Sequence, residues 1–139
     1  MSWIVDTGPI VAYLDASDPA HADVAFRWDA FRGQLLSTSA VVTEAMHFVS
    51  ADRSGPRSLA DLIASSGMEV YDLCRPPELG EAVRLMEKYS DTPMDFADAT
   101  LVLLSEGLSA YDVFTLDRRG FSTYRTRNGR AFRLVLDFD

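Results

Sequence analysis

A chain of 139 residues with 47% hydrophobic and 11% aromatic side chains has the size and apolar content of a single packed domain, and it shows no repeat, low-complexity tract or linker that would divide it. No stretch reaches the roughly 18 apolar residues that span a bilayer, and no basic segment precedes a hydrophobic run at the amino terminus, so a soluble cytoplasmic protein without membrane association is expected. The net charge of −8 excludes a general nucleic-acid coat but not a nuclease, because a carboxylate-rich metal site carries negative charge that bound cations neutralise.

In chain order, Ser2 to Val5 reads as a strand closed by Asp6, and Thr7-Gly8-Pro9 as a turn leading into a helix from Ile10 to Asp15. After the break Ser17-Asp18-Pro19, a helix is predicted over Ala20 to Phe31, with Ala22, Ala25, Phe26 and Asp29 at helical spacing and Trp3, Trp28 and Phe31 assigned to the core. Leu35 to Thr38 is a short strand, and Ser37 to Ser39 offer caps to a helix over Ala40 to Asp52. In that helix Glu44 lies among Val41, Val42, Ala45 and Met46, which predicts burial and the need for a partner. His47, one turn further, is expected to be a satisfied interior residue.

A helix then runs from Gly55-Pro56 to about Ser66, and Met68 to Tyr71 alternates as a strand. Cys74, the single cysteine, forms no internal disulfide, suggests no structural zinc and is expected to be a small, partly buried apolar residue. The helix Pro77 to Tyr89 carries a stripe of Leu79, Ala82, Val83 and Met86. A helix from Met94 to Glu106, ending at Gly107, buries Ala97, Leu101, Val102 and Leu104, and places Asp95 and Asp98 on one face near its positive end. Val113 to Leu116 is a strand closed by Asp117, and Phe132 to Leu136 is the last strand. Strands alternating with helices imply a three-layer α/β/α sandwich around a mostly parallel sheet, with the ligand crevice at the carboxyl ends of the strands.

Asp6, Glu44, Asp98 and Asp117 are each delivered to that crevice by an element end or a helix face. Clustered carboxylates suit a hard divalent cation such as magnesium, which takes oxygen ligands and keeps several waters, so one or two ions need only a few side chains. Such a cation lowers the pKa of a bound water and offsets charge at a phosphoryl group.

These residues resemble the PIN domain family, and within it the VapC-type toxins of toxin–antitoxin pairs. The matching segments are Ile4 to Pro9, Ser39 to Glu44, Pro93 to Ala99 and Thr115 to Arg118, and the likeness extends over essentially the whole chain. The resemblance implies a magnesium- or manganese-dependent endoribonuclease that hydrolyses RNA with metal-activated water, in which Asp6, Glu44, Asp98 and Asp117 match the family's acidic quartet. It also implies a cognate antitoxin and a homodimer. On this reading Asp6 and Asp98 are the central ligands and Glu44 is a ligand or a positioner of water. Asp117 completes the cluster directly or through water, Asp95 is an outer ligand or holds the loop, and Thr7 and Thr115 supply supporting hydroxyls.

Six arginines follow Asp117, namely Arg118, Arg119, Arg125, Arg127, Arg130 and Arg133, with Tyr124 among them. Arg118, Arg119 and Arg125 are candidate phosphate ligands for RNA and Tyr124 a base-stacking ring; a solvated basic tail or salt bridges within this acidic protein are the plainer alternative. Two rival classes fail on chemistry. A phosphoacceptor receiver domain needs a lysine near its last strand, and the sole lysine, Lys88, is in a helix; a phosphohydrolase with an aspartyl nucleophile wants a second acid where Gly8 stands. A non-catalytic PIN-fold module acting through a protein partner is the remaining alternative.

Overall fold

Parallel strands buried on both faces need near-continuous apolar runs, and the chain begins with one: Trp3, Ile4 and Val5 are all buried. In the computed structural model, which describes residues 1–137, five strands form one all-parallel sheet. They are β1 (Ser2–Val5), β2 (Gln34–Thr38), β3 (Glu69–Tyr71), β4 (Asp112–Phe114) and β5 (Arg133–Leu134), in the spatial order β3-β2-β1-β4-β5. The first strand is therefore central, and the chain winds outward from it in both directions. That puts the end of β1, and Asp6, at the switch in strand order where α/β sheets open a crevice.

The described residues form seven α-helices: α1 (Thr7–Leu14), α2 (His21–Ala30), α3 (Ser39–Val49), α4 (Gly55–Ser66), α5 (Pro76–Lys88), α6 (Phe96–Leu108) and α7 (Arg118–Thr123). α1 packs on α2, α3 and α4, while α6 packs on α5, α3 and β2. The arrangement is the expected α/β/α sandwich. Its core joins sheet to helices through aromatic contacts: Trp3 stacks on Phe31 at 3.8 Å and meets Phe114 edge-on at 5.1 Å. None of these helices is long and apolar enough to cross a membrane.

Several boundaries and faces differ from expectation, each for an identifiable reason. Thr7-Gly8-Pro9 is the first turn of α1 rather than a turn before it, because Asp6 caps the helix and Pro9 lies where a missing N–H costs nothing. α6 continues past Gly107 to end at Ser109, which takes a left-handed conformation (φ 51°) while the Ala110 N–H returns to the Ser105 carbonyl. α2 turns Val24 and Trp28 inward and leaves Phe26 74% exposed. α5 buries Ala82 and Leu85, so Leu79 and Val83 of the expected stripe face outward. Cys74 is exposed, not partly buried. The expected last strand is cut to two residues and followed by a 3-10 turn at Val135–Asp137.

Candidate active site

Each acid at the crevice is held by the start of a helix or by its flank. Asp6, at the end of β1, is buried and accepts the Thr7 N–H at 2.8 Å on one oxygen and the Thr115 hydroxyl at 2.7 Å on the other. Thr115 in turn accepts the Asp117 N–H at 2.9 Å, which couples the end of β4 to the end of β1. Asp117 caps α7, a helix that the Arg118-Arg119-Gly120 sequence did not announce, by accepting the Gly120 N–H at 3.0 Å. Asp95 and Asp98 cap α6 reciprocally: each carboxylate accepts the other's backbone N–H, at 2.8 and 3.1 Å. Glu44 lies on α3, half-buried rather than deeply buried, because that helix turns Val41, Ala45 and Val49 toward the core.

Asp6, Glu44, Asp95, Asp98 and Asp117 all line one cleft of about 480 Å³. Asp18, which sequence reasoning passed over, lines it too; a loop aspartate before a proline carries no signal beyond a turn, and Asp18 also accepts the Ala20 N–H at 2.8 Å. The electrostatics are those of crowded anions. Burial pushes the pKa of Asp6 up to about 6, with Glu44 and Asp95 adding to the rise against the opposing hydrogen bonds of Thr115 and Thr7. Burial likewise pushes Asp98 up to about 8, helped by repulsion from Asp6 and Asp95. Glu44 is raised by burial and by Asp95, and the nearby Thr7 opposes this. Among the described residues, none of these five acids forms a salt bridge.

The donors are all hard oxygens, the set that suits magnesium or manganese rather than zinc. The buried Thr7 hydroxyl has no well-formed hydrogen bond within the described residues, so a polar group remains to be satisfied beside Asp6. Among those residues no three His, Cys, Asp or Glu side chains converge as a ready chelate. Magnesium tolerates that, since it is commonly held by one or two carboxylates and its own waters.

No protein-family model matches the sequence. It is 33% identical over 134 residues to Ribonuclease VapC26 of Mycobacterium tuberculosis, covering 95% of this chain and 98% of that protein. The chain belongs to the VapC family of PIN-domain proteins. Two solved structures share the VapC fold. The crystal structure of Mycobacterium tuberculosis VapC20, a sarcin-ricin-loop-cleaving toxin, superposes with a TM-score of 0.74 at 18% identity, covering 85% of this chain and 91% of that one. Rickettsia felis VapBC2, bound to a DNA fragment from its promoter, superposes with a TM-score of 0.62 at 14% identity, covering 96% and 97%.

Away from the acids, this VapC-family chain departs from what the sequence suggested. Tyr124 is fully buried and so presents no face to an RNA base: its hydroxyl donates to the Pro93 carbonyl at 2.7 Å, and its ring packs edge-on against Tyr89 and Phe121. It thereby anchors the linker that delivers Asp95 and Asp98. His47 is exposed, not interior. Arg118, Arg119 and Arg125 are not part of the cleft wall. Arg118 pairs with Asp137 at 2.8 Å, and the Arg125 guanidinium donates to the carbonyls of Ser122, Thr123 and Tyr124, while Arg119 is exposed. Further along, Arg127 pairs with Glu81 and Glu106, Arg133 approaches Asp112 at 4.0 Å and Arg130 lies 3.9 Å over the Tyr111 ring.

Proposed function

We propose that this chain, as a single PIN domain, is the toxin of a toxin–antitoxin pair: a cytoplasmic endoribonuclease that hydrolyses RNA phosphodiester bonds with one or two magnesium or manganese ions at the acidic cleft. The observation that carries this reading is the convergence of Asp6, Glu44, Asp98 and Asp117 on one cleft, where burial and then neighbouring acids raise the pKa of Asp6, Glu44 and Asp98 and no cationic side chain of the described residues pairs with them. Kinship with a protein named as a ribonuclease supports the activity. The VapBC2 structure supports an antitoxin partner, and a homodimer is part of the same proposal.

When bound, the cation supplies Lewis-acid chemistry, activating water and offsetting charge on the scissile phosphate. Asp6 and Asp98 are its central ligands. Thr115 and the Thr7 N–H fix both oxygens of Asp6, so that carboxylate presents itself in one orientation at no cost at the moment of reaction. The Asp95 N–H fixes one oxygen of Asp98. Glu44, whose pKa is raised by burial and by Asp95, would be a further ligand or would position water at the cation. Asp117 completes the cluster, and Asp95 contributes charge at the rim. Arg118, Arg119 and Arg125 bind flanking phosphates, Arg118 by exchanging its exposed pair with Asp137.

Purified protein and its Asp98→Asn variant, incubated with total cellular RNA with and without manganese, test the assignment by sequencing of new ends. The wild type is expected to cut only with metal, and the variant to cut at least about a hundredfold more slowly. Equal cutting by both would remove the catalytic assignment, and no metal-dependent cutting by the wild type would leave the non-catalytic partner-binding module.

A further inference from the structure

Tyr124 is buried behind the acidic cleft, and burial together with Asp98, Asp117, Asp95 and Asp6 pushes its phenol pKa up, so it stays a neutral donor close to those carboxylates. It touches both sides of the cluster. On one side its hydroxyl donates to the Pro93 carbonyl at 2.7 Å, with the Thr92 carbonyl 3.5 Å away, just before Asp95 opens α6. On the other it closes α7: its N–H returns to the Gly120 carbonyl at 2.9 Å, its ring meets Phe121 edge-on at 5.2 Å, and a Cβ on Gly120 would lie 3.0 Å from that ring. Gly120 is the residue whose N–H Asp117 accepts. Tyr89, which closes α5, makes the reverse connection: its hydroxyl accepts the Arg125 N–H at 2.9 Å, and its ring meets Tyr124 edge-on at 5.1 Å. The two tyrosines form a clasp of crossed hydrogen bonds, spanning 31 and 36 residues of chain, between the segment that leads into α6 and the segment that ends α7.

Core packing accounts for the two rings but not for their polar ends, since phenylalanine would fill the same space without a hydroxyl that burial obliges to find a partner. Both hydroxyls are spent on backbone beside the acids. Pro93 has no N–H, so its carbonyl is the handle by which that segment is held. The packing of elements does not by itself bring the two helix starts into register: α6 lies mainly against α5, α3 and β2, and α7 against β5. Magnesium holds its oxygens in near-octahedral geometry at about 2.0–2.1 Å, so a small change in the separation of two carboxylates is felt in affinity. We propose that Tyr124 and Tyr89 are positioning residues for the cation site: their clasp fixes the distance between Asp98 on α6 and Asp117 on α7, so that both carboxylates reach the site together. The proposal rests on the cation-binding reading of the cleft.

Tyr124→Phe and Tyr89→Phe keep each ring and remove one hydroxyl, and two measurements compare them with wild type. In metal-free protein, amide hydrogen exchange in each variant is expected to speed about tenfold at Asp95, Asp98 and Gly120, whose N–H groups make the cap bonds at the two helix starts, and less than about twofold at Ala45 and Val49 on α3. Manganese affinity, read by water-proton relaxation on the folded protein, is expected to fall about tenfold in each variant. Val24→Ala is the control: it opens the core under α2, a helix that supplies no acid to the cleft, and is expected to lose at least as much stability while keeping wild-type manganese affinity. Faster exchange spread evenly over the tyrosine variants, manganese affinity unchanged in both, or a loss of affinity matched by Val24→Ala overturns the proposal, because the hydroxyls then contribute stability alone. Wild-type protein that binds no manganese, while the tyrosine variants still loosen the two caps selectively, would remove the cation reading and keep the clasp as what spaces the acids.

Discussion

Asp98 is asked to do two things that act on its charge in opposite senses: its carboxylate caps the start of α6, which favours the anion, yet it stands half-buried beside Asp6 and Asp95, which favours the acid. The second influence wins, since its pKa rises to about 8 and that of Asp6 to about 6. The consequence for stability has a definite sign. In the unfolded chain both groups lose their protons near pH 4, whereas in the folded chain they keep them to higher pH. Their contribution is therefore fully present below about pH 4 and is lost as pH rises through about 6 and then about 8. In metal-free buffer, urea midpoints measured from pH 5 to pH 8.5 are expected to fall, and Asp98→Asn, which cannot ionise, to flatten most of that fall. A variant with the wild-type slope would mean that water screens the cluster and that these shifts are not felt.

At the scale of elements, the acidic site is largely a set of helix caps. Asp6 caps α1, Asp95 and Asp98 cap α6, and Asp117 caps α7, so partial positive charge at helix starts surrounds the carboxylates where no arginine or lysine does. Each such start is worth only about 0.3 to 1 kcal/mol, which keeps the acids in place without neutralising them. Gly120 shows how tightly the last cap is made: a Cβ there would lie 2.3 Å from Asp117 Oδ2 and 3.0 Å from the Tyr124 ring. The carboxylate is the movable partner, so Gly120→Ala is expected to turn Asp117 off its cap. The expected loss is about 1 kcal/mol of stability, with RNA cleavage lowered to about the level of Asp117→Ala. Thermal denaturation and cleavage assays of both variants check this, and wild-type cleavage by Gly120→Ala would show that the direction of Asp117 does not matter.

For the molecule as a whole, a net charge of −8 and a cleft of mutually repelling carboxylates make the folded state one that gains from a bound cation. Magnesium or manganese at about a hundred times its dissociation constant is expected to stabilise the protein by about 2.7 kcal/mol, seen as a higher melting temperature at fixed ionic strength. Asp6→Asn is expected to remove most of that increase while leaving a folded protein, because the amide oxygen can still accept the Thr7 N–H and the amide NH2 can donate to the Thr115 hydroxyl oxygen. A wild-type melting curve that saturating metal does not move would count against cation binding at this cleft.

What the sequence determined on its own was whatever local signals carry. The apolar run closed by Asp6, the paired acids after Pro93 and the run closed by Asp117 placed four acids at element ends, and alternating strands and helices implied the parallel sandwich. These are properties of near neighbours along the chain, where caps, turns and periodicity are set. The tertiary structure alone decided which way each helix faces: that Phe26 and Val83 look outward, that Glu44 is only half-buried and that Phe48 stands open between two cavities. It also decided that Tyr124 is an internal strut and that Arg118 and Arg127 meet acids, Arg127 across 21 residues of chain. Such pairings are selected by total burial and charge neutralisation across the whole fold, and two segments with the same local pattern can resolve them differently.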